Sequence, residues 1–149
     1  MNHTLTEEQV LLFENAGNQI MHLTALNVLV LCLRGDVSED DFKEANITLM
    51  NLGREHQVKW VIINELELRN IPTRARLWLT TKFMRTAEAK EGIKDLHGFI
   101  VIKSASRFAT TLTKVMHQVA TRMTGIKFHY HTDLQAAISF VERQSHYAR

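Results

Sequence analysis

The fold is decided by residues 59–85, KWVIINELELRNIPTRARLWLTTKFMR. Within them, the fully apolar run 60–63 is typical of a strand that is covered on both faces of a sheet. A polar segment and a turn at Pro72 follow, and a helix is predicted after the turn. Open α/β sheets usually hold their ligand or switch where a strand ends beside a helix start, so the functional surface is expected here.

Further apolar runs flank this stretch and predict the remaining strands. Residues 28–33 and 99–102 are apolar without alternation, which again indicates strands covered on both faces. Two short apolar pieces, 11–13 and 19–23, are separated by the turn sequence NAGN and predict an antiparallel hairpin. Residues 126–130 predict a last short strand.

The helix before the second apolar strand is marked by its caps. Ser38 opens it, with Asp41 as the acid of a capping box, and Gly53 is the expected stop. Met50 lies off its predicted apolar face. Residues 88–95 are expected to be a charged connection.

The helix ending at Gly125 has the clearest amphipathic pattern in the chain. Its predicted apolar face includes Val119, Ala120 and Met123, and His117 is placed on the polar face. A terminal helix follows the last strand. The order of elements therefore predicts one α/β domain spanning 1–149, with 1–8 as a polar lead-in. Its sheet is mixed but mostly parallel, with about five strands, an amino-terminal antiparallel hairpin and four helices packed on it.

Composition supports a single globular domain, since the 149 residues are 45% hydrophobic and 23% charged. A net charge of +2, with lysines and arginines spread along the chain, argues against nucleic-acid binding. The single cysteine, Cys32, excludes an internal disulfide and a cysteine-based zinc site. Nucleotide-binding glycine motifs do not occur, so no cofactor is expected. The sequence shows neither a secretory signal nor a membrane-spanning run, and a cytoplasmic protein is expected.

A cationic cluster, Arg69, Arg74 and Arg76, surrounds the helix start after Pro72. Arginines are mildly unfavourable at a helix amino terminus unless an anion lies nearby. The next apolar strand also ends beside a helix start that is rich in cations and hydroxyls. If the two strands are neighbours, both helix starts face one phosphate or carboxylate. The candidate ligand residues are Arg74, Arg76, Trp78, Ser104, Ser106 and Arg107. The alternative is that the arginines pair with Glu65, Glu67 or Asp95.

Glu65 and Glu67 follow the central strand and are two residues apart, so they are expected to share a side. They act as acid and base only if burial separates their pKa values, and a solvated turn is the favoured interpretation. Trp78 is expected either to stack on a ligand or partner or to pack over the sheet.

His129 and His131 flank Tyr130, so both imidazoles are expected on one face as half of a metal site. No third ligand is evident nearby, and Asp133 or His117 completes the site only if the fold brings it close. An enzyme is the third functional class, and it requires Glu65 and His129 to converge.

Four sequence features carry a resemblance to a known family: GD at 35–36 before a helix, VIIN at 61–64, IPT at 71–73 and HTDLQAAISFV at 131–141. With the order of elements from 11 to 141, the chain resembles the STAS fold of the anti-sigma-factor antagonist type. It is most similar to the small stand-alone bacterial STAS-like proteins. The resemblance implies a non-enzymatic domain used for protein contacts or small ligands.

The resemblance also points to a switch residue. In regulatory members of this family, a serine in an Asp-Ser-Ser-Gly motif after the central strand is phosphorylated to break partner binding. This chain has Pro72, Thr73, Arg74 and Ala75 in that place, without the aspartate and the glycine. The resemblance implies Thr73 as the nearest match to the phosphoacceptor.

The favoured function is a non-enzymatic regulatory or protein-interaction module of STAS type, with a working surface at 64–76 and the following helix. The expected partner-surface residues are Asn64, Glu65, Arg69 and Arg85. The alternative is a carrier or sensor of a small anionic or lipid-like ligand held between that helix and the sheet. A cavity lined by Leu77, Trp78 and Met84 favours the carrier, and a filled core favours the module. Whether the chain forms a homodimer is left open.

Overall fold

The structure, a computed structural model, describes residues 8–104 and 111–147, without the side chains of 111–116 and 145–147. Its strands are β1 (Gln9–Glu14), β2 (Asn18–Leu23), β3 (Val28–Asp36), β4 (Trp60–Asn70), β5 (Gly98–Ile102) and β6 (Lys127–His131). Its helices are α1 (Glu39–His56), α2 (Thr73–Thr81), α3 (Ala87–Ile93), α4 (Thr111–Thr124) and α5 (Leu134–Tyr147). A short 3-10 turn, Phe83–Arg85, lies between α2 and α3.

All six strands form one mixed sheet in the order β1-β2-β3-β4-β5-β6. The first three strands pair antiparallel, and β3 to β6 pair parallel. The predicted fold class is therefore confirmed, with six strands where about five were expected. Because β4 and β5 are parallel neighbours, their carboxyl ends lie at the same edge of the sheet, as the anion hypothesis requires, although most of the helix start expected after β5 lies outside the described residues.

Helices cover both faces of the sheet and produce two apolar cores. One core joins side chains of α1, α2, α3 and α4 to one face of the sheet. In the other core, Ala137, Ile138 and Val141 of α5 pack with Trp60 and other strand residues. This double cover explains why the central strands are apolar without alternation.

The described ranges contain five α-helices where four were expected, because α3 occupies the predicted connection at 88–95. Thr86 caps α3, since its hydroxyl accepts a hydrogen bond from the amide of Ala89 at 3.1 Å. Gly92 lies against α1, where an added Cβ would be 3.0 Å from the Cβ of Met50. Met50 is therefore buried by α3, contrary to its predicted position off the apolar face.

Helix α1 begins as predicted, with the Ser38 hydroxyl accepting a hydrogen bond from the Asp41 amide at 3.1 Å. The predicted stop at Gly53 is wrong, because the helix continues to His56 and Gln57 closes it in the left-handed conformation, at φ 54°. In the part of the chain that the structure covers, no helix has both the length and the apolar character needed to cross a membrane.

Candidate functional site

β4 continues well beyond its predicted end and carries Glu65 into the fold. Up to Glu65, every second side chain of β4 points to the same face of the sheet, so Glu65 faces the same side as Ile63. Glu65 is 7% exposed. Cys32 pairs with Asn64 and Arg34 with Glu67, so β4 has one more residue than β3 in this interval. This β-bulge turns Glu67 outward to an exposed ion pair with Arg34 at 3.0 Å. Two expectations are therefore wrong: the acids do not share a side, and Glu65 is not solvated.

The buried carboxylate of Glu65 is paired with a buried ammonium. Lys103, directly after β5, places its Nζ 3.3 Å from Oε1 of Glu65 and is 5% exposed as a residue. Each buried charge needs the other as its partner, because a buried ion without a counter-ion has lost its hydration and gained nothing in return. The pair lies at the carboxyl end of the parallel strands, where open α/β sheets place functional groups.

His117 of α4 adjoins this pair. Its ring stacks on Phe128 of β6 with a centroid distance of 4.2 Å, and its Nδ1 is hydrogen-bonded to the hydroxyl of Tyr130. Burial, followed by the positive charges of Lys103 and Arg76, lowers the pKa of His117 to about 4. The imidazole is therefore neutral at physiological pH. Burial and the charge of Glu65 raise the pKa of Tyr130. Glu65, Lys103, His117 and Tyr130 are called the polar cluster below.

A cavity of about 70 Å³ opens between the sheet and helices α1, α2 and α4. Its wall is mostly apolar, with side chains from β3, β4, β5 and β6 as well as the helices. The polar residues that line it are Asn46, Glu65, Arg76, Thr80 and His117. We call this space the helix–sheet cavity.

The predicted anion-binding arginines have separate partners. Arg74 pairs with Glu39 of α1 at 2.6 Å, and Arg69 pairs with Asp36 at 3.0 Å. Neither partner is one of the acids considered from the sequence. Arg76 lines the helix–sheet cavity and has no ion pair within the described ranges. Ser104 is half-buried, and Ser106 and Arg107 lie outside the described residues, so the two-helix anion site stays a prediction.

The tryptophan of α2 packs on neighbouring side chains outside the cavity. Trp78 stacks on Phe83 at 4.9 Å, and the Nζ of Lys43 lies 5.5 Å from its ring centroid. Leu77 is 45% exposed. Of the three residues expected to line a ligand cavity, Met84 does so and the other two do not.

The remaining predicted surface residues are Asn64 within β4, Thr73 at the start of α2 and Arg85 in the 3-10 turn after α2. Asn64 is half-buried, and its Oδ1 accepts a hydrogen bond from the Leu66 amide at 3.1 Å. Thr73 and Arg85 are exposed. The structure therefore leaves the predicted phosphoacceptor accessible, and its modification stays a prediction.

The histidines of β6 face the other side of the sheet. His129 and His131 both pack against Phe140 of α5, so the prediction that they share a face is confirmed. His117 stacks on the opposite face of β6, so it cannot complete their site. The enzyme hypothesis also fails in its stated form, since Glu65 lies near His117 and not near His129. Across the described residues, no group of three or more His, Cys, Asp or Glu is placed to hold a metal.

Lys103 and His117 were not predicted beside Glu65, and Asn46 was not predicted as a site residue. The amphipathic pattern places His117 on the polar face of α4, but Val119 and Met123 of the predicted apolar face are more than one-third exposed, while Ala120 is buried. The signal that could have identified Lys103 is its position directly after a fully apolar strand. Nothing in the apolar pattern of α1 marks Asn46 as a residue that lines a cavity.

A scan against family models and a search of curated proteins found no match. Several solved structures are similar, and two of them illustrate the likeness. The first is an uncharacterised protein from the DUF3478 family with a SpoIIAA-like fold, from Shewanella loihica PV-4. It is 14% identical with a TM-score of 0.51, over 90% of this chain and 92% of that chain. The second is the unphosphorylated form of the anti-sigma factor antagonist SpoIIAA. It is 13% identical with a TM-score of 0.52, over 91% of this chain and 98% of that one. The chain therefore has the SpoIIAA-like, or STAS-type, fold that its sequence resembles.

Proposed function

We propose that this chain is a non-enzymatic regulatory module that senses a small anionic ligand in the helix–sheet cavity. The observation that carries the proposal is an internal, mostly apolar cavity with Arg76 at its wall and the polar cluster beside it. Few convergent polar groups in an apolar pocket are typical of small-molecule sites. A cytoplasmic location remains part of the proposal, as the sequence analysis expected.

The charges around the cavity favour a ligand with one negative charge. Glu65 and Lys103 neutralise each other, and His117 is neutral at physiological pH. Arg76 therefore contributes the one cationic charge without a described counter-ion at the cavity wall. A guanidinium binds carboxylates through paired hydrogen bonds, so a monocarboxylate with an apolar body is the best-matched class.

Native mass spectrometry of the purified protein, followed by a denaturing measurement on the same sample, tests for a retained ligand. A mass excess that disappears on denaturation supports the sensor. A panel of short monocarboxylates, with benzoate and its neutral amide as a matched pair, then tests the charge requirement by thermal shift. Saturation at 100 times Kd adds about 2.7 kcal/mol, which for a chain of this size raises Tm by about 5–10 °C.

Arg76→Gln is expected to reduce the shift caused by the acids. Arg85→Gln, at an exposed arginine that does not line the cavity, is the matched control and is expected to keep it. A bare-chain mass together with no shift by any acid in the panel would reject the sensor.

A second function, protein interaction at the end of β4 and the start of α2, is favoured by exposed apolar side chains. Leu66 is 42% exposed and Leu77 is 45% exposed. A SpoIIAA-like fold is also the fold of an anti-sigma factor antagonist. Phosphorylation of Thr73 would add charge next to Arg74 and compete with its ion pair to Glu39.

Pull-down from the native cell with wild type, Leu66→Ser and Thr73→Glu tests this second function. A specific partner captured by wild type and lost in Leu66→Ser supports the surface. A change in capture by Thr73→Glu, together with phosphate found on Thr73 by mass spectrometry, supports the switch. Capture that is the same for all three proteins would contradict both. A homodimer stays a prediction, which the native mass measurement also tests.

A further inference from the structure

Asn46 presents a hydrogen-bonding group at the helix–sheet cavity that the proposed monocarboxylate alone does not use. The residue is 5% exposed and lies on α1. Its Nδ2 donates to the carbonyl oxygen of Phe42 at 2.9 Å. A carbonyl can only accept, so this bond fixes the orientation of the amide group. The other polar atom of this amide, Oδ1, is therefore the one available to accept a hydrogen bond from a group in the cavity. No donor to Oδ1 is found in the described part of the chain.

We infer that the ligand is a small hydroxylated carboxylic acid, whose hydroxyl donates to Asn46 and whose carboxylate binds at Arg76. This inference rests on the proposed sensor function and specifies its ligand class. Asn46 Oδ1 is not among the fully buried unpartnered atoms of the described residues, so it is accessible from the cavity and can accept a hydrogen bond there. A hydroxyl supplies the donor for that bond, and a second carboxylate does not.

The two polar groups that the ligand would use belong to different helices. Asn46 belongs to α1, which packs over β2 and β3. Arg76 belongs to α2 and His117 to α4, and α4 packs over β6. Helix α2 contacts both α1 and α4, so Asn46 and Arg76 reach the same cavity from two neighbouring helices. The ligand therefore carries its hydroxyl and its carboxylate as two separate groups on an apolar body.

His117 also lines the cavity and has one ring nitrogen beyond its contact with Tyr130. With Nδ1 engaged by the hydroxyl of Tyr130, the ring nitrogen that remains is Nε2. If the Tyr130 hydroxyl donates to Nδ1, the neutral imidazole carries its proton on Nε2 and can donate it to a carboxylate. The cavity volume of about 70 Å³ corresponds to about five water-sized positions. This size matches a single ring or a short chain and excludes a long acyl chain.

The probes are 4-hydroxybenzoate and 4-fluorobenzoate, which differ in one small substituent and share the acid. In isothermal titration, wild type is expected to bind the hydroxy acid about tenfold more tightly, since the fluoro acid leaves Oδ1 without a donor. In Asn46→Leu the preference is expected to fall below about twofold while both acids still bind. Circular dichroism checks that the variant is folded, and the wild-type comparison does not depend on it.

Equal affinity of wild type for the two acids would overturn the inference. That result is expected if an ordered water, and not the ligand, donates to Asn46. Failure of both probes, with binding of other acids in the panel that lack a hydroxyl, would overturn the inference and leave the sensor standing. Failure of every acid together with a bare-chain native mass would reject the sensor itself.

Discussion

The substitution Lys103→Met keeps the length of the buried side chain and removes its charge. The carboxylate of Glu65 then stays in the fold without the ammonium that lies 3.3 Å away in wild type. Side-chain exposures of 6% and 10% show that bulk water has little access to either charge. Breaking a buried ion pair by removing one member costs about 3–5 kcal/mol, a large fraction of the total stability of an ordinary domain.

Urea unfolding followed by far-UV circular dichroism and tryptophan fluorescence measures this loss. For a chain of this size, the expected change corresponds to a fall in Tm of about 6–20 °C. The matched control is Glu67→Ala, which removes one member of the exposed pair with Arg34. Because both side chains of that pair are more than half exposed, its removal is expected to cost less than about 1 kcal/mol.

The double variant Glu65→Leu, Lys103→Met separates the cost of an unpaired charge from the worth of the pair. Replacing a buried pair by apolar side chains is often neutral or stabilising. The double variant is therefore expected to be more stable than wild type, or less stable by no more than about 1 kcal/mol. A loss below about 1 kcal/mol in Lys103→Met would refute the reasoning. A double variant that is less stable than the single one would also refute it.

Three further predictions concern stability. For His117, whose pKa is lowered to about 4, the unfolded chain binds more protons between pH 6.5 and 4. The free energy of unfolding is therefore highest above pH 6.5 and falls by about 2 kcal/mol between pH 7 and pH 5. Urea titrations of His117→Phe should lack this pH dependence. Gly98→Ala places a Cβ 2.8 Å from the carbonyl oxygen of Lys127 and should cost about 1–3 kcal/mol in chemical denaturation. Its control Gly53→Ala, with 3.6 Å to the nearest atom, should be neutral or stabilising. Ser38→Ala should lower Tm through the loss of about 1 kcal/mol of capping.

The sheet could be predicted from the sequence because its central strands are buried on both faces. β5 has five buried residues in succession, and such a run leaves few alternatives to a central parallel strand. The helix α3 was not predictable in the same way. It has seven residues, and three of the first five are charged, so its periodicity is too short to distinguish it from a solvated connection.

The predicted apolar face of α4 is only partly correct, for a physical reason that the sequence does not show. Apolar residues were assumed to face the sheet, yet Val119 and Met123 are exposed while His117 packs against Phe128. An imidazole can be buried at low cost when it is neutral and hydrogen-bonded, and both conditions depend on Tyr130 from another element. Among the described residues of the predicted apolar face, hydropathy is therefore right for Ala120 and wrong for Val119 and Met123.

The polar cluster exists because strand ends in a parallel sheet converge, and one extra residue decides which side chains take part. With strict alternation, β4 would turn both Glu65 and Glu67 to the core and leave Leu68 outside. The bulge after Glu65 instead places Leu68 in the core at 3% exposure and sends Glu67 to solvent. Among the described residues, the buried charged side chains are then one carboxylate, that of Glu65, and one ammonium, that of Lys103. That balance leaves the charge of Arg76 for a ligand, so the bulge is the structural basis of the monoanion selectivity proposed for the cavity.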